Sequence, residues 1–176
     1  MIRKVMGKSG CRFLLPAAAA ITAAVAGCST SECLDNQSSR PVAVFLASGG
    51  ENTGSKIRVD SLTIRGVDAP GGVALAEDEN LSGINLPFRI GAEETTYVFE
   101  YGGPLKGLRD ELTFRYSPRP EFVSEACGAV YVFENLEVSS TNVLIDSVVC
   151  PWKTVDNVER EYIKIYFRTA DDEEQQ

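Results

Sequence analysis

Short segments in which apolar and polar residues alternate dominate the chain after residue 40. The clearest runs from Glu161 to Arg168 and places Ile163, Ile165 and Phe167 on one side, as in a half-buried β-strand. Similar patterns predict strands at residues 41–47, 56–67, 95–101, 111–116, 121–124, 129–138 and 142–149. The segment 84–90 contains a proline and is predicted to be an edge strand or irregular.

Turn-forming residues separate these segments and determine the predicted fold. They occur at Ser48-Gly49-Gly50, Ala69-Pro70-Gly71-Gly72, Gly102-Gly103-Pro104 and Ser117-Pro118-Arg119-Pro120. Within 56–67 the apolar positions change parity near Asp60-Ser61, which predicts a bulge or a tight turn. We therefore predict an all-β chain, an antiparallel β-sandwich of about eight to nine short strands, immunoglobulin-like or similar, over residues 41–169.

The first 27 residues have the layout of a secretory leader. Arg3, Lys4, Lys8 and Arg12 precede an alanine-rich apolar run of about 14 residues, shorter than the roughly 20 that a membrane-spanning helix needs. The run ends at Val25-Ala26-Gly27-Cys28, where small residues precede a cysteine as in the cleavage site of bacterial lipoproteins. We predict that residues 1–27 are a lipoprotein signal peptide and that Cys28 carries the lipid. The alternative is an ordinary secretory signal that is cut nearby.

The predicted lipid indicates where the protein resides. One acyl chain binds a membrane only marginally, whereas two or more anchor a protein stably. Ser29 stands where an aspartate would favour retention in the inner membrane, so we expect the outer membrane. Residues 28–40 are predicted to form a lipidated tether, and the acidic residues 170–176 a disordered tail. Whether the domain faces the periplasm or the cell surface stays open.

Composition narrows the classes of function. Without the leader, about 150 residues remain, which suits one domain with a core. Loss of the basic leader takes the formal net charge from −8 to about −12, which argues against nucleic acid as a partner. The chain has no histidine, which excludes Ser-His-Asp triads, His-ligated zinc and histidine pH switches. Carboxylate chemistry remains open, and no cofactor is predicted.

Three cysteines remain for disulfide formation once Cys28 carries lipid: Cys33, Cys127 and Cys150. They would lie in an oxidising compartment, where disulfides persist. The spacing leaves three single bridges open, as well as three free thiols. We favour Cys33–Cys127, because Cys33 lies in a polar segment with no other reason to be ordered and Cys127 precedes Gly128 at a predicted turn. Cys150 ends an apolar run, where a small buried thiol fits.

The motifs predict no metal site and no catalytic residue. Asp78–Ile84 begins like a calcium loop, but Arg89 stands where that loop needs a bidentate glutamate, so we interpret the segment as a polar hairpin loop. Acidic residues could supply a pair for glycoside hydrolysis, but no spacing singles one out. Tyr162 and Tyr166 share the polar side of their strand and are predicted to be an exposed surface for sugars or a partner protein.

Several stretches resemble a family of small outer-membrane lipoproteins that is known only as a domain of unknown function. The resemblance is carried by Cys28 with nearby Cys33, by Leu86-Pro87, by Phe122-Val123-Ser124-Glu125-Ala126-Cys127-Gly128 and by Ile163-Lys164-Ile165-Tyr166-Phe167. It covers most of the mature chain and implies two recurring thiols, which map to Cys33 and Cys127. Cys150 has no counterpart in the family, and the resemblance supplies no catalytic residues.

These observations predict a non-catalytic, lipid-anchored cell-envelope protein, a structural or protein-interaction module at the outer membrane. Its expected partners are the membrane, through the N-terminal lipid, and an envelope protein or a glycan. A glycan-binding surface lipoprotein is the first alternative, and a carboxylate-dependent hydrolase is the second.

Overall fold

Nine strands form in the part of the chain that the computed structural model describes, residues 40–125, 128–156, 158 and 160–169. All of these residues belong to one compact unit, Leu34–Gln176. The strands are β1 (Val42–Ser48), β2 (Val59–Gly66), β3 (Ala74–Leu81), β4 (Gly83–Asn85), β5 (Glu94–Tyr101), β6 (Arg109–Ser124), β7 (Gly128–Ser140), β8 (Ile145–Val149) and β9 (Glu161–Arg168). Among the described residues, no helix is long and apolar enough to cross a membrane.

The strands form two sheets, which confirms the predicted all-β sandwich. One sheet has the order β4-β1-β9-β8 and the other β3-β2-β5-β6-β7. β1 and β9 run parallel, and every other neighbouring pair is antiparallel. The parallel pair brings the first and last strands together in the middle of the smaller sheet, so the beginning of β1 lies beside the beginning of β9.

The core lies between the sheets because alternate residues of each strand point inward. In β6, Leu112, Phe114 and Tyr116 are buried while the residues between them are not. The ring of Phe45 in β1 lies 6.5 Å from that of Phe99 in β5, which is a contact between the two sheets. Aromatic pairs at such distances add about 0.5–1.5 kcal/mol each to the free energy of burial.

Two local predictions about strand irregularity are confirmed. The pairing of β2 with β3 shifts register between Val59 and Leu62, and Ser61 has a φ of 50°, so a bulge lies where the apolar parity changes. β4 is a three-residue edge strand that ends at Asn85, before Pro87.

Two other expectations are wrong. The break predicted at Ser117–Pro120 does not occur, because these residues continue β6 and pair with β7. β5 stops pairing near Arg115, so this part of β6 is an edge. Pro118 lies opposite Phe133, whose own main-chain groups bond to Val155 on the far side of β7. The proline nitrogen therefore points away from β7, and the missing N–H costs no hydrogen bond.

The polar hairpin loop predicted at Asp78–Ile84 also differs from the structure. Asp78 and Asn80 lie within β3, which the alternation pattern missed, and the chain turns only at Ser82 before β4. β3 is an edge strand that carries Glu77, Asp78 and Glu79. Charges on an edge strand oppose pairing with another chain, so a strand without an apolar alternation is tolerated here.

A buried carboxylate ties the β7–β8 connection to β6. Asp110 is 0% exposed and accepts hydrogen bonds from the main-chain N–H groups of Val143 (2.6 Å), Leu144 (2.8 Å) and Ile145 (2.9 Å). The hydroxyls of Thr141 and Tyr101, each at 2.9 Å, also donate to it. Burial alone would raise the pKa of Asp110, but the bonds from Ile145, Val143, Leu144 and Thr141 together lower it below its ordinary value.

Candidate functional site: the hairpin end of the sandwich

The β6–β7 hairpin extends past the other strands at one end of the sandwich, which we call the hairpin end. β5 pairs with β6 only as far as Arg115, whereas β6 and β7 continue to the pair Ser124 and Gly128. The register shifts between Arg115 and Ser117, and the extra residue of this bulge lies on β7, where Asn135 has a φ of 57°. Bulges bend a hairpin and increase its twist, so the outer half changes direction relative to the sheet.

The described chain begins at the hairpin end. Val42 pairs with Asn85, and the segment 86–93 leads from there into the start of β5 beside the hairpin. Val42 also pairs with Glu161, so β9 begins at the same end. The connections 67–73 and 150–160 lie here too, because β2 runs antiparallel to β5 and β8 antiparallel to β9.

Exposed apolar side chains are concentrated at the hairpin end. Among the described residues, eight of the twelve exposed large apolar side chains lie there: Val67, Val73, Leu75, Ile90, Phe122, Val123, Trp152 and Val158. Leu105, Leu108 and Val143 lie in the connections of the opposite end. Single exposed apolar residues are ordinary, but their accumulation at one end of a small domain indicates a contact surface.

The tip of the hairpin carries two exposed apolar side chains. Phe122 is 70% exposed and Val123 is 53% exposed, and the pairing of β6 with β7 shifts register between Phe122 and Ser124. Closer to the sandwich, Arg119 forms ion pairs with Glu134 (2.9 Å) and Glu121 (3.2 Å). One positive charge is thus shared by two negative charges, so these three side chains keep a net negative charge next to the tip.

Aromatic side chains hold the 86–93 connection in place next to the hairpin. Phe88 stacks on Tyr116, with ring centroids 4.7 Å apart, and packs edge-on against Phe133 at 5.3 Å. The Tyr116 hydroxyl donates to the carbonyl of Arg89 at 3.1 Å and accepts from the N–H of Arg89 at 2.9 Å. The Tyr97 hydroxyl donates to the carbonyl of Pro87. The connection is therefore fixed at both its main chain and its side chains.

The single tryptophan of the chain lies in the 150–160 connection, against an arginine. The Arg160 guanidinium lies 4.7 Å from the ring centre of Trp152 and 5.3 Å from that of Tyr162. Asp156 pairs with the same guanidinium through both carboxylate oxygens, at 2.9 and 2.8 Å. Trp152 nevertheless remains 48% exposed, so part of its ring faces the surface while the guanidinium lies against it.

The structure contradicts the predicted exposure of Tyr162. This side chain is 2% exposed, and its hydroxyl lies 2.9 Å from the Asp156 carbonyl and 2.8 Å from that of Val158. Burial, followed by the hydrogen bond and charge of Asp156, raises the pKa of Tyr162 to about 12. The alternation assigned Tyr162 to the correct side of β9, opposite that of Ile163 and Ile165. The 150–160 connection, however, covers that side of the strand. Tyr166 is half-buried, so the two rings do not form an open pair.

The predicted cysteine sites have different outcomes. Cys28, Cys33 and Cys127 lie outside the described residues, so their lipidation and pairing stay predictions. Cys150 is a free thiol that is half-buried, and burial raises its pKa to about 11. A thiol with so high a pKa is a weak nucleophile at neutral pH, which fits the structural role predicted for it.

Several acidic residues of the surface form ion pairs with arginines. Glu94 lies 2.8 Å from Arg115 at the edge of a groove of about 440 Å³, which Glu93 and Glu137 also line. Glu100 lies 3.6 Å from Arg65 on the outer face of the larger sheet. Within the described residues, no group of acids or thiols is arranged to hold a metal ion.

A family of unknown function, DUF6452, matches residues 61–167 of the chain. This match covers more than half of the sequence. The chain belongs to the DUF6452 family. Neither a curated protein nor a solved structure matches it.

The DUF6452 region contains most of the features described above. It begins in β2 and ends in β9, so it includes the hairpin, Asp110 and the Trp152–Arg160 contact. Cys28 and Cys33 precede it. The hairpin end was missed from the sequence, because the exposed apolar residues in 67–75, 90 and 122–123 come to lie at one end of the sandwich only through the topology.

Proposed function

We propose that this DUF6452 protein is a lipid-anchored, non-catalytic interaction protein of the outer membrane. The observation that carries the proposal is the sequence Val25-Ala26-Gly27-Cys28 at the end of a basic and then apolar leader, twelve residues before the described domain begins at Arg40. A lipid on Cys28 would hold the sandwich close to the bilayer surface. Two or more acyl chains suffice for a stable attachment.

The buried polar groups of the domain bond to other parts of the fold, which supports a structural and non-catalytic role for them. Asp110, the buried acid of the described residues, accepts five hydrogen bonds from the fold itself. Arg160 is engaged by Asp156 and by two aromatic rings. The hairpin end exposes several apolar side chains, and exposed apolar surface commonly mediates association.

Replacing the predicted lipid acceptor tests the anchor. In cells fed a clickable palmitate analogue, Cys28→Ala is expected to abolish labelling and to leave the precursor uncleaved, because the thiol that receives the lipid is gone. Cys11→Ala is the matched control, since Cys11 lies in the leader and should leave labelling intact. A labelled Cys28→Ala protein, or wild-type protein that is processed normally in the presence of globomycin, would rule out the anchor.

The predicted disulfide can be tested on the same material. Cys127 lies between Ser124 and Gly128, which pair at the tip of the hairpin, and the described chain begins at the same end of the sandwich. We expect a non-reducing digest to contain a Cys33–Cys127 peptide, with Cys150 recovered alkylated after denaturation because it is free. A Cys127–Cys150 or Cys33–Cys150 peptide would exclude this pairing.

A further inference from the structure

We propose that Pro118 and Pro120 prevent the open edge of the β6–β7 hairpin from pairing with a second copy of this chain. The inference does not depend on the lipid anchor, because it concerns only the main chain of the hairpin. It gives a function to two residues whose sequence predicts a turn but which lie within a strand. They allow a strand with an exposed apolar tip to remain unpaired along one side.

One side of β6 lacks a partner strand over its outer half. β5 begins at Glu94, which lies opposite Arg115, and the N–H of Tyr116 bonds to the carbonyl of Glu93 at 2.9 Å. Between described residues, no further main-chain hydrogen bond reaches this side of β6 over residues 117–123. On its other side the same segment continues to pair with β7. This half of β6 is therefore an edge of the larger sheet.

Both prolines direct their main-chain groups to the open side. Pro118 lies opposite Phe133, whose N–H and carbonyl bond to Val155 at 3.0 and 2.8 Å. Pro118 and Phe133 therefore form a pair that exchanges no hydrogen bonds, and the main-chain groups of Pro118 point away from β7. Because these groups alternate in direction along a strand, those of Pro120 and Phe122 also point to the open side.

An edge without N–H groups cannot pair with another strand in the usual way. A free edge attracts further chains because it displays both donors and acceptors, and proline removes the donor. From Tyr116, whose N–H is already bonded, to Phe122 the open side offers only carbonyl acceptors. A second copy that approached with the same edge, antiparallel, would bring the same acceptors. Phe122 alone would be left to donate in each copy.

The other edges of the two sheets are protected in different ways. β3 carries three consecutive acids, and β4 and β8 are only three and five residues long. Near its root, the outer side of β7 is covered by the 150–160 connection, where the N–H of Leu136 bonds to the carbonyl of Lys153 at 2.9 Å. The open side of β6 is neither short nor covered by the described chain, and it leads to Phe122, which is 70% exposed. Prolines are the remaining means of blocking such an edge.

Restoring the two donors tests the proposal. Pro118→Thr/Pro120→Thr gives both positions an N–H group and a residue that favours strands. We measure sedimentation of the purified full-length protein in detergent, with micelles in large excess over protein. The double variant is expected to self-associate about a hundredfold more tightly than wild type, because each copy regains two main-chain donors on the open side. A double variant that associates no more tightly than wild type would overturn the proposal.

The matched control separates main-chain donors from side chains. Ser117→Thr/Glu121→Thr introduces the same residue type at two positions of β6 whose N–H groups already face β7. It also removes an acid next to the tip, so an effect of charge would favour its association. We expect the control to behave like wild type. If it associates as tightly as the double variant, the prolines do not act through their missing donors and the proposal is wrong.

Hydrogen exchange locates the contact. In the associated double variant, the new amides at positions 118 and 120 should exchange slowly, and dilution to the monomer should make their exchange fast. Association without this protection would mean that the copies meet through the apolar tip, which contradicts the proposal. Should the double variant not fold, Pro120→Thr alone decides, since it restores one donor per copy: we expect about tenfold tighter association, and none would overturn the proposal.

Discussion

Replacing Asp110 by alanine is expected to lower the free energy of unfolding by about 3–4 kcal/mol, because five buried donors lose their acceptor. Three of these donors are consecutive main-chain N–H groups that hold the start of β8 against β6. Urea denaturation of the purified protein measures the loss. Asp60→Ala is the matched control, since Asp60 is an exposed acid in β2 and its removal should change stability by about 0.5 kcal/mol or less.

The same carboxylate makes stability depend on pH in a defined direction. The pKa of Asp110 is lower in the folded chain than its ordinary value of 3.8, so the unfolded chain binds the proton first as the pH falls. The stabilisation is therefore complete above pH 3.8 and is lost as the pH falls below that value toward the folded pKa. Asp110→Asn lacks this titration, so the gap in stability between wild type and variant should narrow in acid. A gap that stays constant down to pH 2 would exclude Asp110 as the group responsible.

The larger part of the fold could be predicted because most strands have one buried and one exposed face. β9 shows this best, since Ile163, Ile165 and Phe167 are buried in alternation with half-exposed Lys164 and Tyr166. The bulge of β2 was predictable for the same reason, because an inserted residue has to change the parity of the apolar positions. The alternation of apolar and polar residues, with a period of two, is therefore sufficient to locate most strands of this sandwich.

Where the alternation failed, other parts of the fold determined the structure. β3 is an edge strand with three consecutive acids, so it has no apolar face to be recognised by. Pro118 and Pro120 are accommodated because β5 begins only at Glu94, opposite Arg115, and leaves one side of β6 unpaired beyond that point, which no local pattern reveals. Tyr162 is buried by the 150–160 connection that precedes β9 rather than by its own strand. In each case the surroundings of the strand, and not its own alternation of apolar residues, determine the structure.

The hairpin end depends even more on topology than the strands do. Phe122 and Trp152 are 30 residues apart in the sequence, and only the pairing of β7 with the segment around Val155 brings their surroundings to one end. Asp110 differs in this respect, because it shares the parity of Leu112, Phe114 and Tyr116 and the alternation of β6 therefore places it on the buried face. Sequence patterns identify strands, whereas the contact surface is a property of where the strands end.

Phe133→Ala is expected to cost about 3–5 kcal/mol, the usual loss when a fully buried phenylalanine is truncated and leaves a cavity. Phe133 is 0% exposed, and its ring contacts Phe88 at 5.3 Å and Tyr116 at 5.0 Å. It thus joins the hairpin to the 86–93 connection. Phe122→Ala is the matched control: the same truncation at a 70% exposed position of the same hairpin should cost about 0.5 kcal/mol or less.

The loss at Phe133 should also be visible locally. The main-chain groups of Phe133 and Val155 exchange two hydrogen bonds, at 3.0 and 2.8 Å, which attach the 150–160 connection to β7. Hydrogen exchange at these two amides should therefore accelerate in Phe133→Ala more than exchange in β9, because the cavity loosens the hairpin root first. Uniform acceleration throughout the domain would instead mean that Phe133 stabilises the sandwich only globally. In that case the hairpin end unfolds together with the rest of the domain and has no separate stability of its own.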